Sequence, residues 1–133
     1  MRQKVEINSG AFEKPFVTDA MVQDTSDSLI IKWAQLHEGD KVKSMYDINM
    51  DKNTGVAVIT RRGEISSRLT FDTARKSMGQ VGTPYGTFDV EIKTDYINMP
   101  TALSPVFEIC YDMAQGGESQ IKNNFSVKFL LQR

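Results

Sequence analysis

Val42-Lys43-Ser44-Met45-Tyr46-Asp47-Ile48-Asn49-Met50-Asp51 reads with a period of two. Val42, Ser44, Tyr46, Ile48 and Met50 fall on one side, and Lys43, Asp47, Asn49 and Asp51 on the other, with Met45 the exception. A pleated strand points successive side chains to opposite faces, so this pattern buries one face and wets the other. The turn-forming run Asp51-Lys52-Asn53-Thr54-Gly55 ends it. The same alternation recurs along the chain, in Ile65, Ser67, Leu69 and Phe71, in Phe88, Val90 and Ile92, and in Phe107, Ile109, Tyr111 and Met113. A last row holds Ile121, Phe125, Val127, Phe129 and Leu131. Thr25-Ser26-Asp27-Ser28, His37-Glu38-Gly39-Asp40, Arg62-Gly63 and Gln115-Gly116-Gly117-Glu118 separate strands with hairpin chemistry. The spacing predicts strands near 2–8, 15–23, 28–36, 41–51, 55–61, 64–71, 75–83, 87–95, 104–114 and 118–131. A meander of this many strands must close or leave two long edges open to pairing. The expected fold is all-β, an antiparallel up-and-down barrel of about eight to ten strands in a single domain, 1–133.

Three segments need separate treatment. Asp72-Thr73-Ala74-Arg75-Lys76-Ser77-Met78 offers a helix cap at Asp72, but Gly79 stops the pattern within two turns, too short to hold alone. A strand from 75 is expected instead. Asn98 to Pro105, with Pro100 and Pro105 flanking Thr101-Ala102-Leu103-Ser104, reads as a loop. Thr83-Pro84-Tyr85-Gly86 suits a type I turn followed by a left-handed glycine, the three-residue hairpin with a bulge. It sets Tyr85 at a barrel rim as a candidate contact residue.

Charge and composition exclude several classes. Sixteen Lys+Arg oppose 17 Asp+Glu, for a formal net charge of −1, which disfavours a nucleic-acid binder. Hydrophobic residues at 40% and charged residues at 25% describe an ordinary folded globule. Cys110 is the sole cysteine, so no intrachain disulfide forms, in keeping with a reducing compartment. The start, Met1-Arg2-Gln3-Lys4-Val5-Glu6, lacks the apolar core of a secretory signal, and no apolar run approaches a bilayer span. The expectation is a cytoplasmic protein without a membrane span.

The inventory for chemistry is thin. Asp47-x-Asn49-x-Asp51 opens like a calcium loop, but Lys52 stands where glycine is needed and Val58 where the closing acid is needed. With one His and one Cys, no zinc cluster can be composed without carboxylates. A serine triad would have to use His37, which falls in a charged turn and reads as a solvated loop residue. Cys110 has no neighbouring base in sequence, and it is an exposed thiol or a small buried residue according to which face it occupies. Asp89 and Glu91 share a face with Lys93, a charge ladder. There is no phosphate-binding glycine loop and no dinucleotide fingerprint. No cofactor, no metal and no catalytic residue is expected.

One resemblance is specific. Ile59-Thr60-Arg61-Arg62-Gly63-Glu64-Ile65-Ser66-Ser67-Arg68-Leu69-Thr70-Phe71, then Thr83-Pro84-Tyr85-Gly86-Thr87-Phe88 and Ile92-Lys93-Thr94, resembles the YwiB-like family of small bacterial proteins. The shared features are an Arg-x-Gly turn, a strand ending in Phe, and a Thr-Pro-Tyr-Gly turn followed by Phe; they span roughly residues 40–131. The resemblance implies a calycin-like barrel, the architecture of lipocalins, and brings no activity with it.

The leading expectation is therefore a non-catalytic barrel that binds a small apolar or amphipathic ligand. The face bearing Tyr46, Phe88 and Phe107 would line its interior, among adaptable methionines. Arg61, at a strand end beside a tight turn, either anchors a ligand carboxylate or phosphate or pairs with a nearby acid. The candidate ligand-binding residues are Arg61, Tyr85, Tyr46, Phe88 and Phe107. The alternative is a protein-interaction module with a filled core, a homodimer included. A carrier needs a cavity of a few hundred cubic ångströms, whereas a docking module does not.

Overall fold

A computed structural model describes residues 1–10, 14–116 and 121–130. Ten strands follow in chain order: β1 (Arg2–Ser9), β2 (Phe16–Asp24), β3 (Ser28–Gln35), β4 (Ser44–Asp51), β5 (Ala57–Arg62), β6 (Ser66–Phe71), β7 (Ser77–Thr83), β8 (Gly86–Asn98), β9 (Val106–Ala114) and β10 (Ile121–Phe129). Each pairs antiparallel with its neighbours in sequence, and β1 pairs with β10. The ladder closes on itself, so no strand presents an unpaired edge.

The register brings the apolar rows together. Tyr46 lies between Trp33 and Arg61, Ile48 between Ile31 and Ile59, and Ala57 between Met50 and Phe71. Val5, Ile7, Ile31, Ile48, Ala57, Phe71, Ile92, Phe107, Ile109 and Val127 have no exposed surface. A void wide enough for one water would leave accessible surface on its walls, so no such void touches these ten side chains. Ten strands enclose a wider space than eight, and aromatic rings occupy part of it. Trp33 stacks on Tyr46 at 4.9 Å, and Phe71 meets Tyr111 edge-on at 4.8 Å.

The differences from the sequence reading are local. β4 begins at Ser44 rather than 41, which leaves Val42 exposed; Ile65 and Ile121 are exposed too and add nothing to the core. β8 runs on to Asn98 because Asp95 is an extra residue, inserted between Thr94, opposite Tyr111, and Tyr96, opposite Cys110. A bulge of this kind reverses the phase of the alternation, which a period of two cannot register. Thr83 pairs with Gly86, so the β7–β8 turn is a two-residue loop, Pro84-Tyr85, and not the three-residue form. Gly86 does hold a positive φ, +138°, in a region closed to residues with a β-carbon. The segment before β7 is a turn in which Asp72 Oδ1 accepts the Ala74 N–H at 2.9 Å. Gly117-Glu118, the start of the predicted strand 118–131 and Leu131 lie outside the described residues.

Candidate functional site

With its middle packed, the barrel can offer chemistry at its rims. β3 and β5 end and β4 begins at one of them, so Trp33, Gln35, Ser44, Tyr46 and Arg61 converge there. Arg61 Nε donates to Ser44 Oγ at 3.3 Å, and its Nη2 lies 3.9 Å from Asp40 Oδ2. The guanidinium sits 5.6 Å from the centroid of the Tyr46 ring. The Arg61 and Asp40 side chains are each only 18% exposed. Trp33 Nε1 donates to Gln35 Oε1 at 3.3 Å.

His37 joins this network from the β3–β4 loop, with Nε2 2.6 Å from the Tyr46 hydroxyl. Burial first, and then the Arg61 charge, hold the imidazole below its usual pKa against a weaker pull from Asp40. Burial pushes the Tyr46 phenol above its usual value. Near neutral pH the ring is uncharged and the phenol protonated, so the contact is a neutral hydrogen bond whose donor is set by the imidazole tautomer. His37 is thus not a solvated loop histidine: it is half-buried on a core tyrosine.

The structure brings Arg61 and Tyr46 together and separates the other candidates. Phe107 is fully buried in the solid middle, Phe88 is partly buried against the core, and Tyr85 stands 99% exposed at a hairpin tip. Ser44, Trp33 and Gln35 were within reach of sequence reasoning, since they share the phase of Tyr46 across the β3–β4 hairpin. His37 and Asp40 lie in a loop, where no period announces direction. Cys110 points outward yet is nearly buried, with Sγ 3.8 Å from the Asp95 carboxylate, which also binds Lys122.

At the opposite rim, where β2 and β10 end and β3 begins, lies a cleft of about 340 Å³. Gln3, Val22, Leu29 and Phe129 form its floor from the strands, and Pro100, Ala102 and Pro105 form one wall from the β8–β9 loop. That loop is held by hydrogen bonds within it, Thr101 N–H to Ser104 O at 2.9 Å and Ser104 N–H to Thr101 Oγ1 at 3.0 Å, and by one from β10, Phe129 N–H to Pro105 O at 2.8 Å. Leu103 projects from the loop, 99% exposed. Asp24, at the cleft margin, is paired with Lys52. The Gln3 amide makes only a 3.9 Å contact with Met1 Sδ. Among the described residues no three His, Cys, Asp or Glu side chains converge as a metal site, and no helix is long and apolar enough to cross a membrane.

Comparison with known proteins agrees with this architecture. The family model described as "Domain of unknown function (DUF1934)" matches residues 4–127. The crystal structure of the ywiB protein from Bacillus subtilis superposes with a TM-score of 0.62 at 11% sequence identity, covering 98% of this chain and 89% of that one. This likeness is one of fold. No curated protein matches the chain.

Proposed function

Because the chain belongs to the DUF1934 family, whose description carries no activity, we propose a function from its own geometry: non-catalytic binding of a small, neutral, amphipathic molecule at the apolar rim. The observation that carries this reading is the cleft of about 340 Å³, preformed, lined mainly by apolar side chains and continuous with the barrel core. Its size falls within the range of small-molecule sites, and such sites combine apolar walls with a few polar groups that fix orientation. Gln3 supplies one such group. Asp24 at the margin is already paired with Lys52, so the lining offers no free charge to an ionised head. The ligand stops at the rim, because the solid middle gives it nowhere further to go.

The Arg61 rim serves the fold in this reading. Its polar groups satisfy one another, and Tyr46 is 6% exposed, leaving little of it for a substrate to touch.

A C8–C10 primary alcohol is a suitable probe, followed by displacement of an environment-sensitive dye. Binding is expected to saturate with a dissociation constant below about 1 mM. Ala102→Trp, on an exposed loop position, should block the cleft and abolish binding while leaving the thermal midpoint in place. Absence of saturable binding, or an unaffected Ala102→Trp variant, would overturn the proposal. The solid interior would then favour the second reading, a docking module with a filled core.

A further inference from the structure

The outer surface of β5–β8 carries a different feature, independent of the apolar cleft. The register sets Ser66, Gly82 and Thr87 in one row and Thr60, Arg68 and Gln80 in the next, with Arg62 ending β5 beside them. The row of small residues is a trough. A β-carbon at Gly82 would come within 2.7 Å of Ser66 Oγ, so a side chain there would have to turn that hydroxyl aside. The resulting cleft, about 230 Å³, is lined by Arg61, Arg62 and Arg68, by hydroxyl and amide donors, and by no carboxylate.

The two outward arginines have no partner among the described residues. Arg61 is held by Asp40 and Ser44, but neither Arg62 nor Arg68 makes an ion pair or a side-chain hydrogen bond among the described residues. Nearby acids are engaged elsewhere: Asp47 pairs with Lys32 at 3.5 Å, and Glu64 accepts the Lys41 N–H at 3.4 Å. Asp89 faces Gln80 from β8 and lies outside the lining. Like charges at diagonal positions on a sheet repel, and an anion between them converts that repulsion into charge-assisted hydrogen bonds. A planar carboxylate has two oxygens to offer. A tetrahedral oxyanion has three or four, which better matches two guanidinium forks with Thr60, Ser66, Thr87 and Gln80 around them.

The same arginines also line a second cleft of about 540 Å³, which continues along the outer face of β4–β5 over Val56 and Val58. Asp47, opposite Thr60 in the row of Arg68, borders the arginine end and is paired with Lys32, while the far end holds Asp51, which accepts the Asn53 N–H at 2.8 Å. One end suits an anion, the middle suits an uncharged body, and the far end repels a second anionic group. We propose that this face binds a small organic phosphate monoester, with its phosphate between Arg62 and Arg68 and its body along Val56 and Val58.

Titration of the intact chain with ribose 5-phosphate, inorganic phosphate, ribose and acetate, followed by amide chemical shifts, tests this. Ribose 5-phosphate should saturate, shift amides within 60–68 and 80–87, and bind more tightly than inorganic phosphate; ribose and acetate should do neither. Arg62→Gln and Arg68→Gln should each weaken binding about tenfold or more, the scale of one charge-assisted bond. Both side chains are exposed, so the thermal midpoint should not move. The proposal fails if no ligand saturates by about 10 mM, weaker than any useful site. It fails equally if the double variant binds as the wild type does, if acetate matches the phosphates, or if a single-stranded oligonucleotide binds more tightly than the monoester.

Discussion

Arg61→Met separates an arginine that holds the fold from one that waits for a ligand. Methionine preserves most of the apolar stem and removes the charge. Ser44 Oγ, in a residue with no exposed surface, loses the donor 3.3 Å away. Leaving a buried hydroxyl unsatisfied costs about 1–3 kcal/mol. The Asp40 contact is long at 3.9 Å, and both its side chains are 18% exposed, so its loss adds at most about 1 kcal/mol. The guanidinium over Tyr46 adds about 0.5–1 kcal/mol. The expected destabilisation is therefore about 1.5–5 kcal/mol, which shifts a urea midpoint by about 1–2.5 M for a protein of this size. Ser44→Ala in the Arg61→Met background removes the orphaned hydroxyl and should return part of the loss, a coupling of about 1 kcal/mol. Alcohol binding at the opposite rim should persist in Arg61→Met. A midpoint shift below about 0.3 M would refute the reasoning, because it would mean that the network contributes almost nothing.

Thr94 Oγ1 is buried without a hydrogen-bond partner, the one such atom among the described side chains. Thr94→Val should be neutral or stabilising by up to about 1 kcal/mol, seen as a thermal midpoint that holds or rises by a few degrees; a clear fall would contradict this. Gly86→Val should cost about 1–3 kcal/mol from backbone strain alone, since a β-carbon there meets nothing within 4 Å; an unchanged denaturation midpoint would show that the turn relaxes. His37 titrates below its usual 6.5 in the folded chain, so the unfolded chain binds the proton first and stability should fall as pH drops from 6.5 through that lowered pKa. Tyr46 and Tyr111 are raised above 10.0, so stability should also fall as pH rises past 10. His37→Gln should flatten the acid limb of a pH series of urea midpoints, and an unaltered acid limb would assign it to other groups.

Much of the barrel was legible because its signal is local and repeated. Ile48, Phe71, Ile92, Phe107 and Val127 alternate with polar neighbours, and closure follows from the need to pair every edge. Misreadings came where a single residue breaks the phase, as Asp95 does, or where a turn has two acceptable lengths, as at Thr83–Gly86. Tyr46 was legible as an inward residue, and Trp33 and Gln35 shared its phase, whereas Arg61 was legible only as a strand-end residue of open direction. His37 and Asp40 were not, since a loop side chain takes its direction from tertiary contacts. The apolar cleft was the least legible feature. It joins Gln3, Leu29 and Phe129 to a loop residue such as Ala102, and only the closed topology makes these neighbours. Cys110 was ambiguous for a related reason, because its outward face is covered by the bulge itself.

The central claim is a solid barrel that binds at its apolar rim, and methyl chemical shifts during titration with a C8–C10 alcohol test it most directly. Saturable shifts are predicted for the methyls of Val22, Leu29, Ala102 and Leu130, which line the cleft, with those of Ile31, Ile48 and Ile109 in the packed middle unmoved. Saturable shifts centred on Ile31, Ile48 and Ile109 instead, or none at the rim, would contradict it.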